Sequence, residues 1–391
     1  MRILFLSYKF PAPGREADEA LYSLLSEYEQ NSEIQADFVT ISDDGEAHAF
    51  KLGENVTIYR LPIRKNSENR PFQSRLEVFR YAWKTYKFCK TLAKANSYDL
   101  THSYSVVPCA IVAYFLKRKF KIPYVISLES QDVDGTDKKI VSLRKKLDSI
   151  IKKVWEEACF YVASSQRMAK LMLASKPERE IEVIYNGINI KEFFPDPAKK
   201  DANNFTIICV SDLVPEKGLR FLIRAFNILV KRYEHLRLII VGDGSEKSAL
   251  EDLVFVLGLK KLVTFTGSIS HEKLPEYYQK ANIFVLPSVE ENLNSQAILE
   301  AMACGLPLLA TKNCRNSELI EDGKNGFIVK GNESHDLCEK IEQFILNKNL
   351  EPEMSRKSRE LAEKIDWPTI ADKYFELYEK TISLRKIKQG R

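Results

Sequence analysis

The spacing of apolar positions changes repeatedly along this chain. Short, nearly continuous runs of aliphatic and β-branched residues fit strands buried on both faces. Between them, apolar residues recur every three or four positions, the period of amphipathic helices. In the first half the runs predict strands near Arg2–Ser7, Ala36–Ile41, Val56–Arg60, Leu100–His102, Pro123–Leu128, Phe160–Ala163 and Glu182–Tyr185. Helices are predicted around Asp18–Glu29, Glu77–Ala95 and Ser105–Arg118. A second series starts at Phe205–Val210, continues through Arg237–Val241, Val263–Phe265, Ile283–Leu286 and Leu308–Ala310, and ends in helices. Alternating strands and helices predict an α/β fold with parallel sheets. Two such series predict two Rossmann-like, doubly wound domains in tandem with a crevice at the carboxyl ends of their strands, where ligands of such sheets bind.

The predicted first domain covers residues 1–187. Residues 188–204 read as a linker, because NGIN, FFPDP and AKKDANN carry turn residues and few core candidates. The second domain covers 205–366. Over 367–391 the apolar spacing after Pro368 predicts a terminal pair of helices packing back toward the first domain.

Composition narrows the class. With 391 residues, 45% hydrophobic and 29% charged, the chain is globular rather than disordered. No run approaches the ~18 consecutive apolar residues of a membrane span. MRILFLSYKF has too short an apolar run for a secretory signal and reads as a first strand. Seven cysteines without C-x-x-C spacing argue against a disulfide scaffold or a zinc site and for a reducing cytoplasm. Five scattered histidines form no metal motif, and Asp132-Val133-Asp134 alone does not specify a site, so no metal is expected. A net charge of +5 does not require a nucleic-acid partner, and none is expected. Dinucleotide binding is disfavoured, since the one G-x-G, Gly242-Asp243-Gly244, has Lys247 where a third glycine belongs; a P-loop is absent too.

The chemistry concentrates between Val285 and Val329. This stretch predicts a strand, a polar loop over Glu290–Ser295, a helix over Gln296–Ala303 stopped by Gly305 and Pro307, another strand, and a second helix near Ser317. A helix directly behind a polar loop turns unpaired N–H groups toward an anion such as a diphosphate. One turn inside, Glu300 could accept hydrogen bonds from two adjacent ribose hydroxyls, although an isolated helical glutamate is ordinarily solvated.

LEAMACGLP (Leu299–Pro307), followed by Glu318, Ile320, Asp322, Gly323, Asn325, Gly326 and Val329 in E-x-I-x-D-G-x-N-G-x-x-V, resembles the donor-site signature of the retaining, GT-B-fold family 4 glycosyltransferases. VIYNGIN (Val183–Asn189), PEKG (Pro215–Gly218), VGDG (Val241–Gly244), FTG (Phe265–Gly267) and VLPS (Val285–Ser288) are similar to further family segments in the same order. The resemblance implies a GT-B fold and transfer of a sugar, with retention, from a nucleotide diphosphate sugar, UDP- or GDP-linked, to a glycan, lipid-linked or small-molecule acceptor. No cofactor is implied beyond that co-substrate. The donor would lie on the second domain and the acceptor on the first.

It also implies site residues. Glu300 matches the family glutamate on the ribose. Its partner on the sugar should lie eight positions earlier, at Asn292, with Glu291 nine away. A loop one residue longer is easily accommodated on a surface and leaves Glu291 in that role. Leu293, Asn294, Ser295 and Gln296 complete the donor loop, with Ser211 and Gly242 from neighbouring turns. Lys217 matches the lysine on the donor diphosphate, where a compact cation offsets charge on the leaving group. The usual arginine five residues earlier is replaced by Asp212. The usual Gly-Gly loop after the first strand is reduced to Gly14 beside Arg15, which could restore the missing positive charge. Glu129 stands where the family often has a histidine near the reacting carbon, and could contact the sugar. His102 resembles a family D-x-x-H histidine, more often structural than chemical. These departures leave two alternatives: a non-catalytic module that binds nucleotide sugar, or an epimerase or hydrolase using Glu129 as an acid or base.

From Lys138 to Val154, lysines fall in pairs seven apart: 138 and 139, 145 and 146, 152 and 153. They share one helical face, opposite apolar residues that include Ile151 and Val154. Such a face is either solvated or docks on the anionic inner surface of a plasma membrane.

Overall fold

The computed structural model describes residues 1–8, 16–42, 45–63, 75–128, 148–174, 180–290, 296–314 and 316–389. The chain divides into two compact units, Met1–Asn186 with Trp367–Arg391, and Gly187–Asp366.

The first unit is built on eight strands: β1 (Arg2–Leu6), β2 (Gln35–Ile41), β3 (His48–Leu52), β4 (Val56–Leu61), β5 (Leu100–Tyr104), β6 (Tyr124–Ser127), β7 (Tyr161–Ala163) and β8 (Ile181–Val183). Their order across the sheet is β3-β4-β2-β1-β5-β6-β7-β8. All neighbours are parallel except β3, which pairs antiparallel with β4 at one edge. The first four helices are α1 (Glu16–Glu29), α2 (Arg75–Ala95), α3 (Ile111–Phe120) and α4 (Asp148–Glu157), followed by α5 (Gln166–Ala174). The helix predicted over Ser105–Arg118 becomes regular only at Ile111. Pro108 lacks an N–H to donate, and Val107 has extended backbone angles.

The second unit carries β9 (Phe205–Val210), β10 (Leu236–Val241), β11 (Val263–Gly267), β12 (Ile283–Leu286), β13 (Leu308–Thr311) and β14 (Gly326–Val329). The order is β11-β10-β9-β12-β13-β14, all parallel, the doubly wound Rossmann order. Its helices are α6 (Leu219–Leu229), α7 (Lys247–Val256), α8 (Leu274–Gln279), α9 (Gln296–Ala303), α10 (Ser334–Leu346) and α11 (Leu350–Ala362). FTIICV in β9 and IFVL in β12 are nearly continuous apolar runs because helices cover both faces of the sheet.

Three expectations need correction. Residues 188–204 are part of the second unit: Phe193 is fully buried, and Arg359 of α11 donates to the carbonyls of Ile190, Phe193 and Ala303. The terminal stretch is one helix, α12 (Trp367–Gln389), since Pro368 sits in its first turn, where a missing N–H costs nothing. It belongs to the first unit, where the Tyr378 hydroxyl lies 2.7 Å from His102 Nδ1. The helix expected near Ser317 is a single 3-10 turn, Ser317–Leu319. There Asn325 reverses the chain, accepting from the Glu321 N–H and donating to the Leu319 carbonyl.

Candidate functional site

Within the second unit the strand order reverses between β9 and β12, and the loops leaving their carboxyl ends diverge. After β9 the chain runs through Ser211–Val214 into the 3-10 turn Pro215–Lys217, and Gly218 then turns it into α6. Gly218 has φ 68°, and a Cβ there would stand 2.3 Å from the Pro287 carbonyl oxygen, so only glycine fits. The close approach lets Val289 N–H donate to the Glu216 carbonyl at 2.8 Å. The turn bearing Lys217 is thereby fixed to the loop that follows β12.

Lys217 is 6% exposed. Among the described residues no carboxylate lies within 4.0 Å of its ammonium. Burial pushes the Cys209 thiol up to about 12, while Ser211 and the charge of Lys217 pull the other way. A cation withdrawn from water without a counter-charge is costly unless an anion completes the site.

Ser211 and Gly242 meet in this region. A Cβ on Gly242 would fall 1.9 Å from the Ser211 carbonyl oxygen, and one on Gly244 2.5 Å from that of Leu213. The loop after β9 is pinned there, with Leu213 N–H donating to the Asp243 carbonyl and Glu246 N–H to that of Leu213. The Gly242-Asp243-Gly244 segment therefore serves a close backbone approach. Asp212, at the position of the expected arginine, is exposed.

Glu300 lies in α9 and is 2% exposed, which replaces the picture of a solvated helical glutamate. The Tyr278 hydroxyl donates to Oε2 at 2.8 Å, and His271 Nδ1 stands 3.9 Å from Oε1. The Phe193 ring packs edge-on against His271 at 5.1 Å and Tyr278 at 6.1 Å. Tyr278 and His271 were not anticipated from sequence. They precede Glu300 by 22 and 29 positions, and no local motif links them to it. Gln296 opens α9 and is half-buried.

Gly14, Arg15, Glu129, Glu291, Asn292, Leu293, Asn294 and Ser295 lie outside the described residues, as do Asp132, Asp134 and the lysines at 138, 139, 145 and 146. On α4, Lys152 and Lys153 are exposed while Ile151 and Val154 are buried. His102 is fully buried in the first unit, its Nε2 lying 2.8 Å from Ser127 Oγ. Burial lowers its pKa to about 3, so it is neutral and structural. Among the described residues no three or more His, Cys, Asp or Glu side chains are placed to hold a metal, and no helix is long and apolar enough to cross a membrane.

Two adjoining family models match the chain: Glycosyltransferase Family 4 over residues 21–192, and Glycosyl transferases group 1 over residues 190–361. An uncharacterized glycosyltransferase of Methanocaldococcus jannaschii is 27% identical over 299 residues, 76% of this chain and 80% of that protein. The alpha-monoglucosyldiacylglycerol synthase of Acholeplasma laidlawii is 26% identical over 313 residues, 72% of this chain and 78% of the synthase. Among solved structures, Anabaena HepE in complex with UDP aligns over 97% of this chain and 100% of its own, with a TM-score of 0.71 and 22% identity. That likeness shows the fold, and the two Rossmann-like units make a GT-B architecture.

Proposed function

This chain belongs to the group 1, family 4 glycosyltransferases, and on that premise we propose that it moves a sugar, with retention at the anomeric carbon, from a UDP- or GDP-sugar held by the second unit to a glycan or lipid-linked acceptor. The observation that carries this reading is Lys217, a nearly buried cation at the carboxyl end of β9 without a carboxylate partner among the described residues. A donor diphosphate supplies the missing anion. As the bond from anomeric carbon to phosphate oxygen breaks, charge grows on that oxygen, and a fixed ammonium stabilises the transition state more than the ground state.

Glu300 takes the ribose hydroxyls, with Tyr278 orienting its carboxylate. Glu291 or Asn292 holds the transferred sugar, Glu129 contacts it near the reacting carbon, and Gly14 and Arg15 add to the phosphate contacts; these roles rest on the family resemblance. The acceptor falls to the first unit. The synthase of Acholeplasma, named for a glucosylated diacylglycerol, supports a lipid acceptor, and the UDP on HepE supports a uridine donor. The seven cysteines, none in a disulfide, support action in a reducing cytoplasm. Contact of the Lys138–Lys153 face with an anionic membrane is supported by the exposure of Lys152 and Lys153.

The test is a panel of UDP-, GDP- and ADP-sugars, scored first by thermal stabilisation and then by nucleotide release with and without acceptor. A bound nucleotide diphosphate raises stability by about 2.7 kcal/mol at a hundredfold excess over its Kd. Release that requires acceptor supports transfer. Release without acceptor supports a hydrolase, and binding without any release supports a non-catalytic module.

A further inference from the structure

Helix α2 has two opposed faces. Val78, Tyr81, Thr85 and Cys89 are buried in the first unit. On the opposite side Leu76, Phe79 and Trp83 are 67%, 69% and 52% exposed. At about 100° per residue, these three positions share an arc of roughly 100° with Arg80, Lys87, Lys90 and Lys94. From Arg80 to Lys94 the helix holds five basic residues and no acidic one. The Lys87 ammonium lies 4.3 Å from the centre of the Trp83 ring. Helix α3 extends the surface. Its half-exposed Phe115 stands edge-on to Tyr86 at 6.0 Å, and Lys119 is pressed below its ordinary pKa by Lys90 and then by Lys94.

Large apolar side chains on a helix that is otherwise anchored mark a contact surface rather than ordinary scatter. We propose that this face of α2 docks the protein on an anionic lipid bilayer, with Leu76, Phe79 and Trp83 entering the headgroup boundary and the basic residues meeting lipid phosphates. Charge selects this occupant. A second copy joined through the same patch would bring the same cations face to face, whereas an anionic leaflet attracts each of them. An exposed tryptophan beside basic residues also suits the membrane interface, where its amphipathic ring is at home. The surface is separate from the Lys152 and Lys153 face of α4, and the inference does not rest on the sugar-transfer reading.

Trp83 is itself the reporter, because Trp367 is buried and Trp155 half-buried. The full chain is titrated with vesicles of phosphatidylcholine alone and of phosphatidylcholine mixed with phosphatidylglycerol, following sedimentation and tryptophan emission. Binding to the anionic vesicles alone, weakening as salt rises, is expected, with emission moving to the blue and brominated lipid quenching it. Lys87→Glu with Lys90→Glu should weaken partitioning about tenfold or more, as two reversals of roughly 1 kcal/mol each or greater imply. Phe79→Ser should weaken it while leaving the salt dependence in place. Lys152→Glu with Lys153→Glu reverses charge on the separate α4 face and should leave the blue shift and the bromolipid quenching of Trp83 in place on the vesicles that bind. Equal binding to both vesicle types, no binding, or binding without a change in emission overturns the proposal. So does a blue shift with protein concentration in the absence of lipid, which would make a second copy the occupant. The wild-type readouts need no substitution, so a variant that fails to fold leaves the test intact.

Discussion

His102 in the first unit and Lys217 in the second are both buried basic side chains on parallel Rossmann-like sheets, yet their surroundings differ in kind. His102 has a hydroxyl at each ring nitrogen, from Tyr378 and Ser127, and aromatic rings around it, Tyr104 stacked at 4.5 Å. Its polar needs are met within its own unit. Lys217 is comparably withdrawn from water, and no carboxylate among the described residues approaches its ammonium. Burial alone therefore does not separate the two residues; the lack of a carboxylate beside Lys217 among the described residues does. Glu300 is buried as well, with Tyr278 donating to one carboxylate oxygen and His271 Nδ1 3.9 Å from the other.

The comparison breaks most visibly at Lys217. Lys217→Ala should reduce turnover by about 10²–10³-fold, the scale of losing one transition-state charge stabiliser. The unfolding midpoint should hold or rise, because the variant removes a buried cation that no carboxylate among the described residues offsets. Initial rates and a denaturant titration on the same preparation check both halves. His102→Ala should invert the pattern. Two buried hydroxyls lose their partner, so stability should fall by about 2–4 kcal/mol in denaturant titration while nucleotide affinity stays near wild type.

His102 sharpens the contrast through pH. Its folded pKa is lowered to about 3 from an ordinary 6.5, so the unfolded chain takes up the proton first as pH falls. Its contribution is fully present above about pH 6.5 and is lost progressively toward pH 3, at no more than about 1.4 kcal/mol per pH unit. Stability of the His102→Phe variant should lack that component between pH 6.5 and the acid limit. The smallest effect belongs to Tyr278→Phe. Losing one hydrogen bond to a buried carboxylate should cost about 1–2 kcal/mol of nucleotide affinity, seen as a higher KM with kcat little changed.

Much of the fold was legible in the chain, for identifiable reasons. The expected limits of β9 and β12 coincide with the observed ones, since both are apolar runs bounded by polar residues. Strand β3 was missed because HAFKL is an exposed edge with no buried face to impose a period. Strand β14 was missed because it opens at Gly326, where a Cβ would stand 1.9 Å from the Leu308 carbonyl oxygen, a cross-strand fact that local pattern does not carry. At the site, motif position singled out Glu300 and Lys217. Their burial and the Tyr278 contact follow from how β9, β12 and α8 come together, which no local spacing encodes.

The proposed function requires the second unit to hold a nucleotide diphosphate through Lys217 and Glu300. Calorimetric titration of UDP, GDP and their nucleosides into wild type, Lys217→Ala and Glu300→Gln tests it most directly. For the cognate base, the diphosphate should bind wild type at least about tenfold more tightly than its nucleoside. Lys217→Ala should erase most of that difference, while Glu300→Gln should weaken nucleoside and diphosphate alike. Undiminished diphosphate affinity in Lys217→Ala would contradict it.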